Sequence, residues 1–272
     1  MASTYTDLSL WKDDGISEKQ READDKLWRN LSLWEDCVVL MCFYLRKVAS
    51  TPEHMGPIDG ETEQIVGLLT HLHRYGLVSI NSQPHGKIRP RFDQNRGVCE
   101  IQQRGYITFL LPLKHPGVPE RQLQSFLAAL GDDSHLDVVT WSPKRWSGNL
   151  ASMREVPLAR LRCASTLDGL RKASWVECDN VAIDQEVCEE IWYRWREAMP
   201  GIDNFCLVHV FAKEWNTKVG PISQLLRIAQ NTGLTPSFRI GSDPELREQA
   251  DICHNQGVGG DLNDDIGGTG VV

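Results

Sequence analysis

The segment HLHRYGLVSINSQPHG, residues 71–86, decides the fold class, because it passes from a helix through a strand into a turn. Apolar residues spaced three and four apart predict an amphipathic helix over about residues 60–75, and Gly76 suits the position after its end. Residues 77–81, LVSIN, then predict a strand. The helix leads directly into this strand, so we expect the two to pack antiparallel beside each other.

Outward from this segment, helix and strand patterns are interspersed rather than strictly alternating. Helices are predicted from Leu27 to Leu45 as one long stripe, over 119–130, from Asp184 to about 198, and over about 220–231. Strands are predicted over 97–111 (a hairpin or strand pair turning at Arg104–Gly105), over 136–141, as short pieces within 142–180, and over 205–212 as a central strand. We expect an α+β or irregular α/β fold, with a mixed β-sheet flanked by helices.

The 272 residues are enough for one main domain with a sizeable core. Residues 1–22 are polar and predict an N-terminal arm, and residues 23–236 predict a single α+β catalytic or binding domain. Residues 237–272 are rich in Gly, Asp and Asn and predict a flexible acidic tail.

Composition and missing motifs narrow the function classes. No signal peptide is visible, and the apolar run CVVLMCFYL at 37–45 is too short to span a bilayer, so we expect a cytoplasmic protein without membrane contact. None of the eight cysteines forms a CxxC pair, which argues against a structural zinc site. No P-loop and no Rossmann glycine motif occurs. We expect no metal and no cofactor, and no protein partner is indicated.

The charge is unevenly distributed. The net charge is −8, yet residues 87–172 hold 14 Lys and Arg against 8 Asp and Glu, and residues 173–272 hold 7 against 16. The basic block either meets a polyanion or pairs with the acidic block within the fold, and the second interpretation is favoured.

The stretch GPIDGETE at 56–63 places Asp59, Glu61 and Glu63 at a predicted helix start. A helix N-terminus alone explains these charges, because they complement the helix dipole. The alternative is a carboxylate cluster that binds a guanidinium or ammonium group.

The stretch NSQPHG at 81–86 ends the predicted strand. These are ordinary turn residues, but strand ends are also common ligand sites. If the strand end is a ligand site, Ser82 is expected to be a nucleophile or a hydrogen-bond donor, and Gln83 is expected to orient an acyl group. Asn81 and His85 are then expected to contact the substrate. Glu61 is expected to be a third catalytic residue, and Asp59 and Glu63 are expected to bind the substrate. The stretches 56–63 and 81–86 are therefore expected to face one pocket.

Two basic stretches are candidates for contacts to phosphate. KIRPRFDQNR at 87–96 supplies Lys87, Arg89, Arg91 and Arg96 around an aromatic ring, and WSPKRW supplies Lys144 and Arg145. Each is either a solvated or packing segment or a nucleic-acid contact. His209, within an apolar strand, is interpreted as a core histidine.

Residues 27–111 resemble an uncharacterised domain in which Gly-Pro-x-Asp-x-Glu-Thr is followed by an Arg-x-Gly strand start and then Ser-Gln-Pro-Gly. In this chain the motifs read GPIDGET at 56–62, HRYGLVSI at 73–80 and SQPHG at 82–86, with His85 inserted before the glycine. In size and overall character the chain also resembles the fungal arginine-containing cyclodipeptide synthases.

The second resemblance implies an aminoacyltransferase that joins arginine from arginyl-tRNA to a residue from a second aminoacyl-tRNA, giving cyclo(Arg-Xaa) in secondary metabolism. It implies no ATP site, because the tRNA ester is already activated. The residues alone leave two alternatives open. One is a non-catalytic module that binds a cationic small molecule or peptide, and the other is an interaction protein that uses its acidic C-terminal region.

Overall fold

One long hairpin connects the two β-sheets of the molecule. The computed structural model describes residues 18–46, 49–52, 60–114, 118–143, 145–148, 155–202, 204–215, 220–234 and 236. Its helices are α1 (Glu18–Arg29), α2 (Trp34–Leu45), α3 (Gly60–Glu63), α4 (Val66–Arg74), α5 (Glu120–Gly131), α6 (Leu167–Lys172), α7 (Gln185–Ala198) and α8 (Pro221–Asn231). Its strands are β1 (Val78–Gln83), β2 (Gly86–Asp93), β3 (Gly97–Gln103), β4 (Tyr106–Pro112), β5 (Leu136–Ser142), β6 (Arg145–Gly148), β7 (Glu155–Ala164), β8 (Val176–Ala182) and β9 (Phe205–Ala212).

The strands form a five-stranded sheet A, in the order β1-β4-β9-β5-β6, and a four-stranded sheet B, in the order β2-β3-β7-β8. Every described strand pair is antiparallel. The α+β class is confirmed, and its β-structure is two antiparallel sheets rather than one mixed sheet.

The long hairpin passes through both sheets. In sheet A, β1 pairs with β4, and in sheet B their continuations β2 and β3 pair. The hairpin turns at residues 94–96, where the Asp93 carboxylate accepts the backbone N–H groups of Asn95 and Arg96 at 2.9 Å. The prediction that residues 97–111 turn at Arg104–Gly105 is therefore wrong, since that dipeptide joins the two sheets. A Cβ on Gly105 would lie 2.7 Å from Pro221 Cδ, so the crossing requires glycine.

Helices cover both faces of sheet A. On one face, His73 of α4 bonds Ser79 of β1, and on the other, Cys188 of α7 contacts His209 of β9. Strands β4 and β9 are buried along their whole length between these layers. This confirms the prediction of a central strand over 205–212, and it leaves β1 and β6 as the edges of the sheet.

The predicted helix from Leu27 to Leu45 is two helices, separated at residues 30–33. The apolar stripe continues across the break, but its two halves pack in different places. Trp28 donates its indole N–H to the Ser50 carbonyl at 2.9 Å, and Trp34 donates to the Gly76 carbonyl at 3.0 Å. Periodicity alone cannot separate one long helix from two that share a stripe.

The helix predicted over 60–75 is also divided, by a turn at Gln64–Ile65 that separates α3 from α4. Helix α4 contacts β1, as expected from their direct connection, and Gly76 has φ 76° at the predicted position. The predictions of α5, β5, α7 and α8 are confirmed, and Asp184 caps α7 by accepting the Val187 N–H at 2.8 Å.

The described residues include the end of the predicted N-terminal arm and none of the predicted C-terminal tail. Helix α1 begins at Glu18, inside the predicted arm of residues 1–22. Residues 1–17 and the predicted tail, 237–272, lie outside the described residues.

A disulfide joins the two central strands of sheet B. Cys99 and Cys163 are directly opposite each other in the β3–β7 pair and are bonded, 64 residues apart in sequence. Cys37, Cys42, Cys188 and Cys206 are buried free thiols, which behave as small hydrophobic side chains. The sequence did not reveal the disulfide, because only the strand register brings Cys99 and Cys163 together.

Candidate functional site

The polar end of β1 is the centre of the predicted site. Asn81, Ser82 and Gln83 are half-buried at the end of the edge strand of sheet A. The Tyr106 hydroxyl donates to Asn81 Oδ1 at 2.7 Å and fixes that side chain. Gln83 Nε2 is buried and has no hydrogen-bond partner among the described residues. A buried unpaired amide donor destabilises a fold unless a ligand satisfies it, so this atom is the clearest chemical signal at the strand end.

The acidic stretch is near this strand. Helix α3, which contains Glu61 and Glu63, has Cα atoms within 8 Å of those of β1. Glu63 is exposed, while the Glu61 side chain and the whole of Asp59 lie outside the described part. The two stretches are thus neighbours at the level of the backbone, and the roles given to their side chains stay predictions.

His85 lies between the sheets. Its ring packs on Gly220, where a Cβ would come within 2.8 Å of Nδ1, and its own Cβ is close to Gly105. Burial lowers the pKa of His85 below its ordinary value of 6.5. The imidazole is therefore neutral at pH 7 and can accept a proton from a reacting group.

The predicted phosphate contacts divide between the two sheets. Lys87 and Arg89 are in β2, and Arg91 and Arg96 are exposed near the hairpin turn. The aromatic ring between them, Phe92, is 75% exposed. Segment 87–96 is thus a strand followed by a turn.

Of the other pair, Lys144 lies outside the described residues and Arg145 is in β6. Strand β6 is four strand spacings from β1, or about 19 Å. The structure therefore does not bring the backbone of Arg145 close to the polar end of β1.

A buried Ser–His–Cys group looks catalytic in composition but lacks access to solvent. His73 Nε2 accepts the Ser79 N–H at 3.1 Å and lies 2.8 Å from Ser79 Oγ, while Nδ1 lies 3.7 Å from Cys42 Sγ. Burial lowers the pKa of His73 to about 3 and raises that of Cys42 to about 12. All these groups are neutral and buried, so we interpret them as core packing.

His209 has the corresponding arrangement on the other face of sheet A. Its Nδ1 lies 2.8 Å from Thr108 Oγ1, and its Nε2 lies 3.4 Å from Cys188 Sγ. Burial lowers the pKa of His209 to about 4. The interpretation of His209 as a core histidine agrees with this geometry.

Sequence reasoning missed an alternating stack of guanidinium groups and indoles on one face of sheet B, here called the Arg–Trp ladder. Its members, in spatial order, are Arg104, Trp215, Arg160, Trp175 and Arg162. Successive distances from guanidinium carbon to ring centroid are 5.7, 5.0, 4.7 and 4.6 Å. Each contact is within the range of cation–π attraction.

The arginines of the ladder differ in their partners. Arg162 is held by the Glu100 carboxylate, with Nε at 2.7 Å. Arg104 bonds two backbone carbonyls, and its Nη2 lies 3.5 Å from the Asp137 carboxylate. Among the described residues, Arg160 bonds only the neutral amide oxygen of Gln102, at 2.7 Å. The available sequence signal was the alternation of arginines at 160 and 162, which is typical of one face of a strand.

Comparison with known proteins assigns the chain to no family. No protein-family model matches the chain, and none of the curated proteins matches it significantly. The resemblance to arginine-containing cyclodipeptide synthases therefore stays a prediction. No described helix is both long and apolar enough to cross a membrane. The described residues include no group of three or more His, Cys, Asp and Glu side chains suited to a metal ion.

Proposed function

We propose that this protein synthesises an arginine-containing cyclodipeptide from arginyl-tRNA and a second aminoacyl-tRNA. The observation that carries the proposal is the buried, unpaired Nε2 of Gln83, at the end of a strand that lies beside the acidic helix α3. The donor suits the carbonyl oxygen of an aminoacyl ester, and the carboxylates predicted to bind substrate at the start of α3 suit the arginine guanidinium.

The chemistry needs no energy source beyond the substrates. Two ester bonds to tRNA are broken and two amide bonds form, and each tRNA leaves with a free terminal hydroxyl. Gln83 donates to the carbonyl oxygen as negative charge develops on it during attack by an amine. Neutral His85 takes the proton that the attacking group loses, and Ser82 either holds the acyl group as an ester or donates a hydrogen bond.

The outer end of the long hairpin supplies an RNA contact in this proposal. Exposed Arg91 and Arg96 flank Phe92, so cations for phosphate and a ring for base stacking occur together. The same hairpin carries Ser82 and Gln83 at its other half. One continuous element thus connects the RNA contact with the acyl-transfer site.

The direct test incubates the purified protein with arginyl-tRNA and mixed aminoacyl-tRNAs, with products identified by mass spectrometry. We expect a cyclodipeptide containing arginine that disappears when ribonuclease is added first. Absence of such a product from a folded protein, with charged tRNA verified, refutes the proposal.

Variants of Gln83 give the sharpest residue test. Gln83→Met removes the unpaired donor and keeps a similar volume, so the free energy of unfolding should stay unchanged or rise. Loss of a donor to the reacting oxygen should lower the rate by about 10²–10³-fold. Unchanged turnover in this variant would remove Gln83 from the mechanism.

Glu61 can be tested against a matched acid at another helix start. Glu186 lies in the first turn of α7 and is exposed. Glu61→Gln should lower activity far more than stability, whereas Glu186→Gln should leave activity unchanged. If both variants behave alike, the Glu61 charge serves only its helix.

The second candidate is a non-catalytic module for a cationic ligand, favoured by the position of α3 beside β1. Calorimetric titration with arginine amide separates the two functions. Saturable binding that is lost in Glu61→Gln, with no product from charged tRNA, supports the module and excludes the enzyme.

A further inference from the structure

The middle arginine of the Arg–Trp ladder has a different environment from the other two. Arg160 is half-buried, and its guanidinium carbon lies 4.7 Å from the Trp175 ring centroid and 5.0 Å from that of Trp215. Its Nε is bonded to Gln102, whose own amide N–H groups reach the Trp215 carbonyl at 3.0 Å. Two indole rings and one hydrogen bond thereby hold the guanidinium of Arg160.

The charge of Arg160 is not neutralised by a carboxylate within 4.0 Å among the described residues, unlike those of Arg104 and Arg162. Its two Nη nitrogens have no hydrogen-bond partner in the same part of the chain. A guanidinium with free Nη edges binds an oxyanion through parallel N–H···O bonds. Because the indoles already hold its orientation, little further entropy is lost on binding.

The charged groups around this edge are of both signs. Glu177 is directly opposite Arg160 in the β7–β8 pair and is exposed, so it disfavours an anion. Arg162 lies on the same face of β7 and favours the binding of an anion, although the Glu100 carboxylate offsets its charge. An anion therefore needs strong directional bonds to Arg160 itself, as a phosphate group provides.

From this environment, we infer that Arg160, held between Trp175 and Trp215, is a binding site for a phosphate group. The phosphate is either that of a free small molecule or that of a nucleic-acid backbone. The inference goes beyond the proposed function because it rests on the ladder alone and does not require acyl transfer.

The test measures binding by calorimetry at constant ionic strength, with inorganic phosphate in one arm and a short single-stranded RNA in the other. We expect saturable binding of inorganic phosphate to the intact chain. Arg160→Gln should weaken it at least tenfold, and Arg160→Lys should weaken it less, because charge is kept while the planar fork is lost. The control is Arg194→Gln, which removes one exposed positive charge on α7.

The outcomes are distinct. Loss of phosphate binding in Arg160→Gln with retention in Arg194→Gln supports the site. Parallel loss of RNA binding then assigns it to a nucleic-acid backbone, and unchanged RNA binding assigns it to a small molecule. No saturable phosphate binding by the intact chain, or equal weakening in both glutamine variants, overturns the inference.

If circular dichroism shows that Arg160→Gln does not fold, the Arg160→Lys variant decides. Wild-type phosphate affinity in Arg160→Lys then counts against the site. These assays need no aminoacyl-tRNA, so they can succeed where the proposed function fails.

Discussion

Loss of the disulfide between Cys99 and Cys163 should lower the stability of this protein by several kcal/mol. The bond closes a loop of 64 residues, so it restricts the unfolded chain strongly. The chain-entropy relation for a loop of this length gives about 4 kcal/mol at 25 °C. Because the bonded strands are already paired in sheet B, the folded state needs no rearrangement to keep its register without the bond.

The measurement is urea unfolding of oxidised wild type and of the Cys99→Ser/Cys163→Ser double variant, followed by circular dichroism. The wild type in a strong reductant is a third sample and should match the variant. We expect the free energy of unfolding to fall by about 2–4 kcal/mol, with native circular dichroism retained. Equal stabilities of the oxidised and variant proteins would refute the reasoning. Mass spectrometry that finds Cys99 and Cys163 as free thiols in the oxidised wild type would also refute it.

Three further predictions follow from single contacts. Asp184→Ala removes the cap on the Val187 N–H and should lower the free energy of unfolding by about 1 kcal/mol, whereas Asp184→Ser should largely retain it in the same urea assay. Burial lowers the pKa of His209 to about 4, so the unfolded state takes up a proton first as pH falls below 6.5. The stability that His209 contributes should drop by about 2 kcal/mol between pH 7 and pH 5, and His209→Asn should show a shallower decline than wild type. Gly105→Ala forces a Cβ to within 2.7 Å of Pro221 Cδ and should lower the melting temperature, whereas a melting temperature equal to wild type would show that the crossing has room.

The proposed site and the Arg–Trp ladder lie on different sheets, and the long hairpin connects them. Gln83 is at the end of β1 in sheet A, while Arg160 lies in β7 of sheet B. If both are functional, the acyl group and a phosphate group are bound at separate places on one scaffold. That division suits a substrate with a reactive ester at one end and a polyanion at the other.

The sequence alone determined the elements whose signals are local. Helix α7 was predictable because Asp184 caps it and its apolar residues share one face. Strand β9 was predictable because seven of its eight residues are apolar, as expected of a central strand that is buried on both faces. The place of Ser82 and Gln83 in the fold was predictable for the same reason, because these polar residues follow a short apolar run.

The tertiary structure decided what depends on residues far apart in the chain. The bend at Arg104–Gly105 looked like a hairpin turn, but the partners of β3 and β4 are set by long-range pairing. The disulfide and the ladder arise from register between strands and from Trp215, which follows β9. Local propensity and periodicity report which face of an element is apolar, but they do not report which element that face meets.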